Sequence, residues 1–360
     1  MPGLRVVVFI GGIWIVTVAI NSAIRSLVLP RSAQDPIARL VFISLRRLFA
    51  LRIKRARSYA ASDSLMAMYA PVSLMALLPV WLALVLVGYS LMFWSAEEMS
   101  WYQAFRASGS SLLTLGFTAP EGWLITILEF SEATLGLILV ALLIAYLPTM
   151  YSGFARRESS VTLLEVRAGD PPWAVTMLER YQRIHGLERL SEEWRAWEVW
   201  FAEVEESHTS LPALAFFRSP QPNHSWVTAA GAVLDSASLY LAAVDLPFDP
   251  QAALCIRGGY LALQRISDYF NIKYNPNPRF PDEPITITRQ EFDAALDRLE
   301  TNKVPLIADR EQAWRDFAGW RVNYDKVLVS LARLTMAPES PWSGDRTESM
   351  ILPPVFNRKG

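Results

Sequence analysis

Residues 65–94 run for thirty positions without one charged side chain. About 20 helical residues cross a roughly 30 Å hydrocarbon core, so this stretch places part of the chain in a bilayer. Two more stretches are long enough: 6–30, with Arg25 near its end, and 123–146, which holds Glu129 and Glu132. Composition agrees, since 52% of the 360 residues are hydrophobic and 19% charged, against about 25% charged in ordinary soluble domains. The first stretch also imitates a secretory signal, with Arg5 ahead of an apolar run and Ala-Ile-Asn-Ser-Ala near its end, and that is its competing reading.

Loop charges set the orientation. Between the first two stretches stand Arg31, Arg39, Arg46, Arg47, Arg52, Lys54, Arg55 and Arg57, against Asp35 and Asp63, and a loop this basic stays cytoplasmic. The N-terminus and the 95–122 loop are then outside, and everything after Arg156 and Arg157 is inside. The outer loop has Arg106 as its only cation. Residues 37–53 mix arginines with Leu, Val, Ile and Phe, the pattern of an interfacial amphipathic helix; a solvated basic linker fits the same composition.

Residues 101–120, between the second and third stretches, are too few to cross twice and too apolar for a surface loop. A helix over 101–113 is about 20 Å long and ends near mid-membrane. Thr114, Leu115, Gly116 and Phe117 would then return outward as extended chain, which survives at that depth only when buried in protein or lining an aqueous path.

A half-length helix, then Thr-Leu-Gly-Phe, then an apolar inner helix ending in basic residues resembles the pore of potassium channels, whose filter reads Thr-Val-Gly-Tyr-Gly or Thr-Leu-Gly-Phe-Gly. The resemblance covers about residues 66–157 and is to bacterial single-pore-loop potassium-channel family proteins that carry a helical cytoplasmic domain. It implies an ion-binding filter of Thr114, Leu115, Gly116, Phe117 and Thr118. There, backbone carbonyls replace the hydration shell of a monovalent cation and the Thr114 hydroxyl adds an inner oxygen. Leu115 and Phe117 would wedge into surrounding protein, and Gly116 would supply the dihedrals that turn each carbonyl inward.

This chain departs from the family where Thr118 replaces the second filter glycine and Ala119 the acid after it. A β-branched residue resists φ > 0, which adds about 1–3 kcal/mol of strain per subunit wherever that conformation is needed. Conduction of a monovalent cation is therefore the expectation, ahead of potassium selectivity. Glu121 stands close enough to restore a negative outer mouth, or is a solvated loop charge.

By rise per residue, Arg106 lies about 8 Å below the start of the pore helix and Glu129 about 10 Å below the start of the third span. Intramembrane charges are usually paired, so Arg106 and Glu129 are expected to pair behind the filter, with Glu132 hydrogen-bonded near its base; the alternative leaves Glu129 at the outer interface. Along the third span, Gly136 permits bending, Leu139 and Leu143 line an inner cavity, and Pro148 interrupts the helix. That predicts a hydrophobic inner gate over Leu143, Pro148 and Tyr151; helix-packing leucines are the alternative.

From about Ser159 the composition becomes that of a soluble helical domain. Trp194, Trp197, Trp200, Phe201 and Val204 recur at three or four residues and predict a helix over 191–206 with an aromatic core or subunit-interface face. Further helices are expected over 225–241, 252–270, 289–301 and 310–334. Thr288 and Glu291 form a capping box, 275–284 is a loop, and 337–360 is poorly ordered. Residues 160–166 and 285–288 are the only strand candidates.

A net charge of -1 gives no field for nucleic acid. One cysteine, Cys255, and three histidines, His185, His208 and His224, allow neither a disulfide framework nor a cysteine-rich zinc module, and His208 and His224 read as surface or capping residues. No catalytic constellation emerges, so an enzyme is not expected, and neither is a cofactor beyond the permeant ion. The fold class is mainly α: three transmembrane helices, one re-entrant pore helix with its filter, and a C-terminal α-helical cytoplasmic domain. Its parts are a first span at 1–30, a basic interfacial segment at 31–64, a pore domain at 65–157, the helical domain at 158–336 and the tail. Such a chain sits multi-pass in the cell membrane as a homotetramer, because one loop gives a quarter of a four-fold filter. The alternative is a non-conducting, channel-derived scaffold whose helical domain binds a cytoplasmic partner or ligand.

Overall fold

The structure, a computed structural model, describes residues 2–29, 35–53, 59–97, 99–117 and 122–346. Among them the chain is mainly helical and forms no strand, only an isolated bridge between Val244 and Leu306. Among the described residues, four helices are long and apolar enough to cross a bilayer, which marks a membrane protein. They lie in α1 (Pro2–Leu27), in α4 (Tyr69–Ala96) together with the residues from Ala61 before it, in α6 (Trp123–Ala168) and in α9 (Trp226–Ala243). The chain divides into two units, one of residues 1–49 and 68–152, the other of 50–67 and 153–360. The first span thus shares a unit with residues 68–152, and 50–67 share one with the chain from 153 onward.

In the first unit α1 packs along α4 through small residues. Gly12, Val16, Ala19 and Ala23 share one face, and a Cβ on Gly12 would lie 2.5 Å from the Gly88 carbonyl oxygen. Ile10, Ile13 and Trp14 on the opposite side are exposed, the division of faces expected of a helix between protein and lipid. Trp81 Nε1 donates to Ser22 Oγ at 2.8 Å, and Ser22 Oγ donates to Asp35 Oδ2 at 2.7 Å. The same carboxylate accepts the Ala38 amide at 2.6 Å and so caps α2 (Pro36–Ile53). The Tyr69 ring meets Phe42 and Phe49 edge-on, joining α2 to α4.

The helix expected to stop near Pro148 continues through it to Ala168. Proline removes one intrahelical bond, and here the surrounding turns carry that single loss. The strand candidate 160–166 is consequently helical, and 285–288 is loop.

In the second unit, α3 (Tyr59–Ala67) is held by Arg218, whose Nη1 donates to Asp63 at 2.7 Å and to Tyr59 OH at 3.2 Å. The aromatic stripe of α8 (Leu190–Ser210) is core: Trp194, Trp197, Trp200, Phe201 and Val204 are all buried. So is 94% of the α9 span window, leaving it almost no surface for lipid. Helices α7 (Ala174–Arg183), α10 (Pro250–Tyr269), α11 (Arg289–Thr301), α12 (Arg310–Arg321) and α13 (Asp325–Thr335) complete the unit.

The helix expected over 310–334 is broken because Asn323 Nδ2 donates to the Gly319 and Trp320 carbonyls, closing α12, while the buried Tyr324 starts α13. Arg321 explains why: it is buried, bonds Asp325 Oδ1 at 2.8 Å and pairs with Asp235 of α9, whose carboxylate also accepts from Tyr324 OH at 2.9 Å. Arg321 Nη2 further donates to the Trp342 carbonyl at 2.6 Å. Trp342 is buried against Trp173 and Phe317, so 337–346 is packed chain rather than a loose tail. Residues 347–360 lie outside the described residues.

Candidate re-entrant pore segment

The segment between α4 and α6 opens with a reciprocal cap that sequence reading missed. Ser100 Oγ accepts the Gln103 amide at 3.3 Å and Gln103 Oε1 accepts the Ser100 amide at 2.9 Å, which starts α5 (Trp101–Leu112), about 18 Å long. Trp94 and Trp101 stack 4.8 Å apart across the preceding turn. Ala104, Ala107, Ser108 and Leu112 are buried, whereas Tyr102, Phe105 and Arg106 are exposed.

The end of α5 is a Schellman closure. The Leu115 amide donates to the Ser110 carbonyl at 2.8 Å and the Thr114 amide to the Ser111 carbonyl at 3.0 Å, with Thr114 at φ 55°. This motif normally places glycine at the left-handed position. A threonine there is strained by roughly 1–3 kcal/mol. Thr114 Oγ1 donates to the Leu113 carbonyl at 2.8 Å. Beyond it Gly116 has φ +69° with open space around the position of a Cβ, and the Phe117 amide donates to Ser110 Oγ at 3.1 Å. Leu115 and Phe117 are 59% and 51% exposed; the wedging expected of them does not occur within one protomer. Thr118 and Glu121 lie outside the described residues.

Arg106 does not meet Glu129 as expected. Its guanidinium lies over the Phe117 ring at 5.2 Å and the Tyr102 ring at 5.7 Å, a cation–π arrangement that needs no carboxylate. Glu129 contributes through its backbone, whose carbonyl accepts Ser111 Oγ at 2.6 Å. Glu132 is fully buried, and Ser108 Oγ lies 2.5 Å from its Oε1 and 3.0 Å from the Leu86 carbonyl. One serine thus joins α4, α5 and α6, a role with no signal in the sequence beyond a small residue on the buried face. Among the described residues, Glu132 Oε2 is buried with no hydrogen-bond partner.

Where α6 passes the end of α5, Gly136 serves close approach rather than bending: a Cβ there would lie 2.6 Å from the Leu112 carbonyl oxygen. Leu139 and Leu143 are buried within this chain, so neither presents its side chain to a path outside it. Ile144, Leu147 and Tyr151 carry the exposed face of these turns, with Pro148 exposed among them.

No protein-family model, curated protein or solved structure matches this chain. The segment is therefore interpreted from its own geometry. Among the described residues, no three His, Cys, Asp or Glu side chains are grouped so as to hold a metal ion. The chemistry the segment offers is backbone carbonyls on a short non-helical stretch, anchored by Ser110 and backed by Ser108 and Glu132.

Proposed function

We propose that this chain is one subunit of a homotetrameric, potassium-channel-like monovalent cation channel, multi-pass in the cell membrane, with its N-terminus outside and its helical domain in the cytoplasm. The observation that carries the reading is the α5 segment: a capped helix too short to span, followed by non-helical chain, between two helices of spanning length. Non-helical backbone in that place requires an aqueous or protein-lined path, and carbonyls from Thr114 to Phe117 of four subunits would coordinate a dehydrated cation. Ile144, Leu147 and Tyr151 replace Leu143 as the proposed inner constriction, since they sit on the exposed face of α6. The basic 31–64 segment supports the orientation.

Purified protein in liposomes tests this reading through potassium and sodium flux. Flux in the parent protein that is lost in Gly116→Ala is the expected result, because alanine disfavours φ near +69°. Parent flux untouched by Gly116→Ala removes residues 114–118 from the conduction path.

One observation favours a second reading, a non-conducting scaffold whose helical domain binds a cytoplasmic partner. The Thr114 hydroxyl is turned onto the Leu113 carbonyl instead of being free to bind an ion. Absence of flux together with a monomer or dimer as the largest species in mild detergent supports it.

A further inference from the structure

The last turns of α6 carry a buried cation. Arg157 is 2% exposed, and its Nε and Nη2 donate to Glu158 Oε1 at 2.9 and 2.7 Å. Nη1 donates to the Leu214 carbonyl and Nη2 to the Phe217 carbonyl, both at 2.8 Å. These carbonyls belong to the turn that includes the 3₁₀ helix Pro212–Phe216. Trp200 Nε1 reaches back to the Arg157 carbonyl at 3.2 Å. Arginine thus ties α6 to α8 and to the turn after it.

The remaining neighbour of Arg157 is His208, at 3.1 Å from Nη1 to Nε2. His208 is fully buried, not the surface or capping residue expected from its sequence context. A guanidinium has donors only, so Nε2 must be the unprotonated acceptor and the ring proton sits on Nδ1, which faces Ser207 Oγ at 3.1 Å. A second proton on this ring would set two N–H groups and two positive charges against each other inside the protein.

We propose that Arg157 and His208 form an acid-released latch, in which protonation of His208 at Nε2 expels the Arg157 guanidinium and frees the 212–217 turn from α6. The groups around the ring agree. From α6 it faces Arg157, which engages Glu158 through Oε1 while the buried Glu158 Oε2 has no partner among the described residues; the 3₁₀ turn offers backbone carbonyls; α9 offers the Trp226 ring at 4.8 Å. On α8 itself Glu205 is paired with Arg265, and Glu206 is exposed. His224 lies elsewhere, with Nε2 3.5 Å from Glu165 Oε2 of α6.

Burial, and then the Arg157 charge, hold His208 well below the ordinary histidine value of 6.5. The released ring regains that value, so the released form binds one more proton and its population rises by up to about tenfold per pH unit below 6.5. The latch is a property of the helical unit; only its effect on ion flow rests on the channel reading.

Hydrogen exchange of the full-length protein in nanodiscs, corrected for the intrinsic pH dependence, tests the latch. Between pH 7.5 and 5, exchange across 211–217 is expected to rise by up to about tenfold per unit below 6.5 in the parent and to stay flat in His208→Gln, whose amide oxygen accepts from Arg157 without titrating. Equal acid responses in both, or no response in the parent, overturn the proposal. Nitrogen NMR of histidine-labelled parent protein gives a check free of mutation: a buried ring protonated on Nδ1 at pH 7 supports it and one protonated on Nε2 overturns it. Liposome flux separates the two readings, because an intact latch response with no flux at any pH counts against the channel alone.

Discussion

Ser108 Oγ sits between two acceptors on different helices, the Leu86 carbonyl of α4 and the Glu132 carboxyl of α6. The two partners are not equivalent. Among the described residues, removing the serine leaves a buried carboxyl with no hydrogen-bond partner, whereas removing the carboxyl leaves the serine its Leu86 bond and also deletes an Oε2 that has no partner there. Orphaning a buried polar group costs about 1–3 kcal/mol, while an apolar replacement of similar shape is nearly neutral. Ser108→Ala should therefore lower the thermal midpoint in detergent clearly, and Glu132→Leu much less. The reverse order removes Ser108 as the joint between the helices.

The α1 and α4 backbones cross at Gly12 and Gly88. Gly12→Ala would put its Cβ 2.5 Å from a backbone oxygen, an overpacking expected to cost about 1–3 kcal/mol. Gly11→Ala has nothing within 4 Å and should be neutral or slightly stabilising, because alanine is the better helix former. Thermal unfolding of both variants compares the two sides of one helix, and equal effects would remove the close crossing.

At Thr114 two effects oppose each other. Thr114→Gly relieves left-handed strain of roughly 1–3 kcal/mol and restores about 0.4–1 kcal/mol of unfolded-chain freedom. Relief should win, so the variant is expected to unfold at a slightly higher temperature. A lower midpoint would show that the Thr114 hydroxyl bond to Leu113 outweighs the strain.

Arg346 reaches back to the Glu291 carboxylate of the Thr288 capping box. Partial burial would raise this carboxyl, but the bonds from Arg346 and Thr288 prevail and hold it below its ordinary 4.5. A depressed folded value means stability present above pH 4.5 and lost as the pH falls through the folded value. Arg346→Ala should flatten that acid limb in a series of unfolding midpoints from pH 6 to 3. Trp342→Ala, in the same segment, should lower stability at every pH by about 3–5 kcal/mol, the usual loss for a buried tryptophan.

What was legible in the sequence followed local rules. The α5 boundaries, the Thr288 box and the α8 aromatic face each depend on residues within one or two turns, and all three are present in the structure. What was hidden depends on partners far along the chain. His208 reads as a surface residue until Arg157 is placed beside it, and 337–346 reads as a tail until Arg321 receives the Trp342 carbonyl. Pro148 reads as a stop because the local rule counts the lost bond but not the turns on either side. At Thr114 the left-handed site is visible only once the carbonyls of Ser110 and Ser111 are seen to close α5.

The Asp235–Arg321 pair also bears on how the chain is made. As α9 emerges during synthesis it is 18 residues long and apolar enough to be mistaken for another span, and Arg321, 86 residues later, does not yet exist. An aspartate at the middle of an inserting helix is disfavoured by about 2.5–3.5 kcal/mol. Before it has a partner in the protein, Asp235 would therefore weigh against insertion of this helix in lipid, so the carboxylate that joins the core would also act earlier, on the route the nascent helix takes.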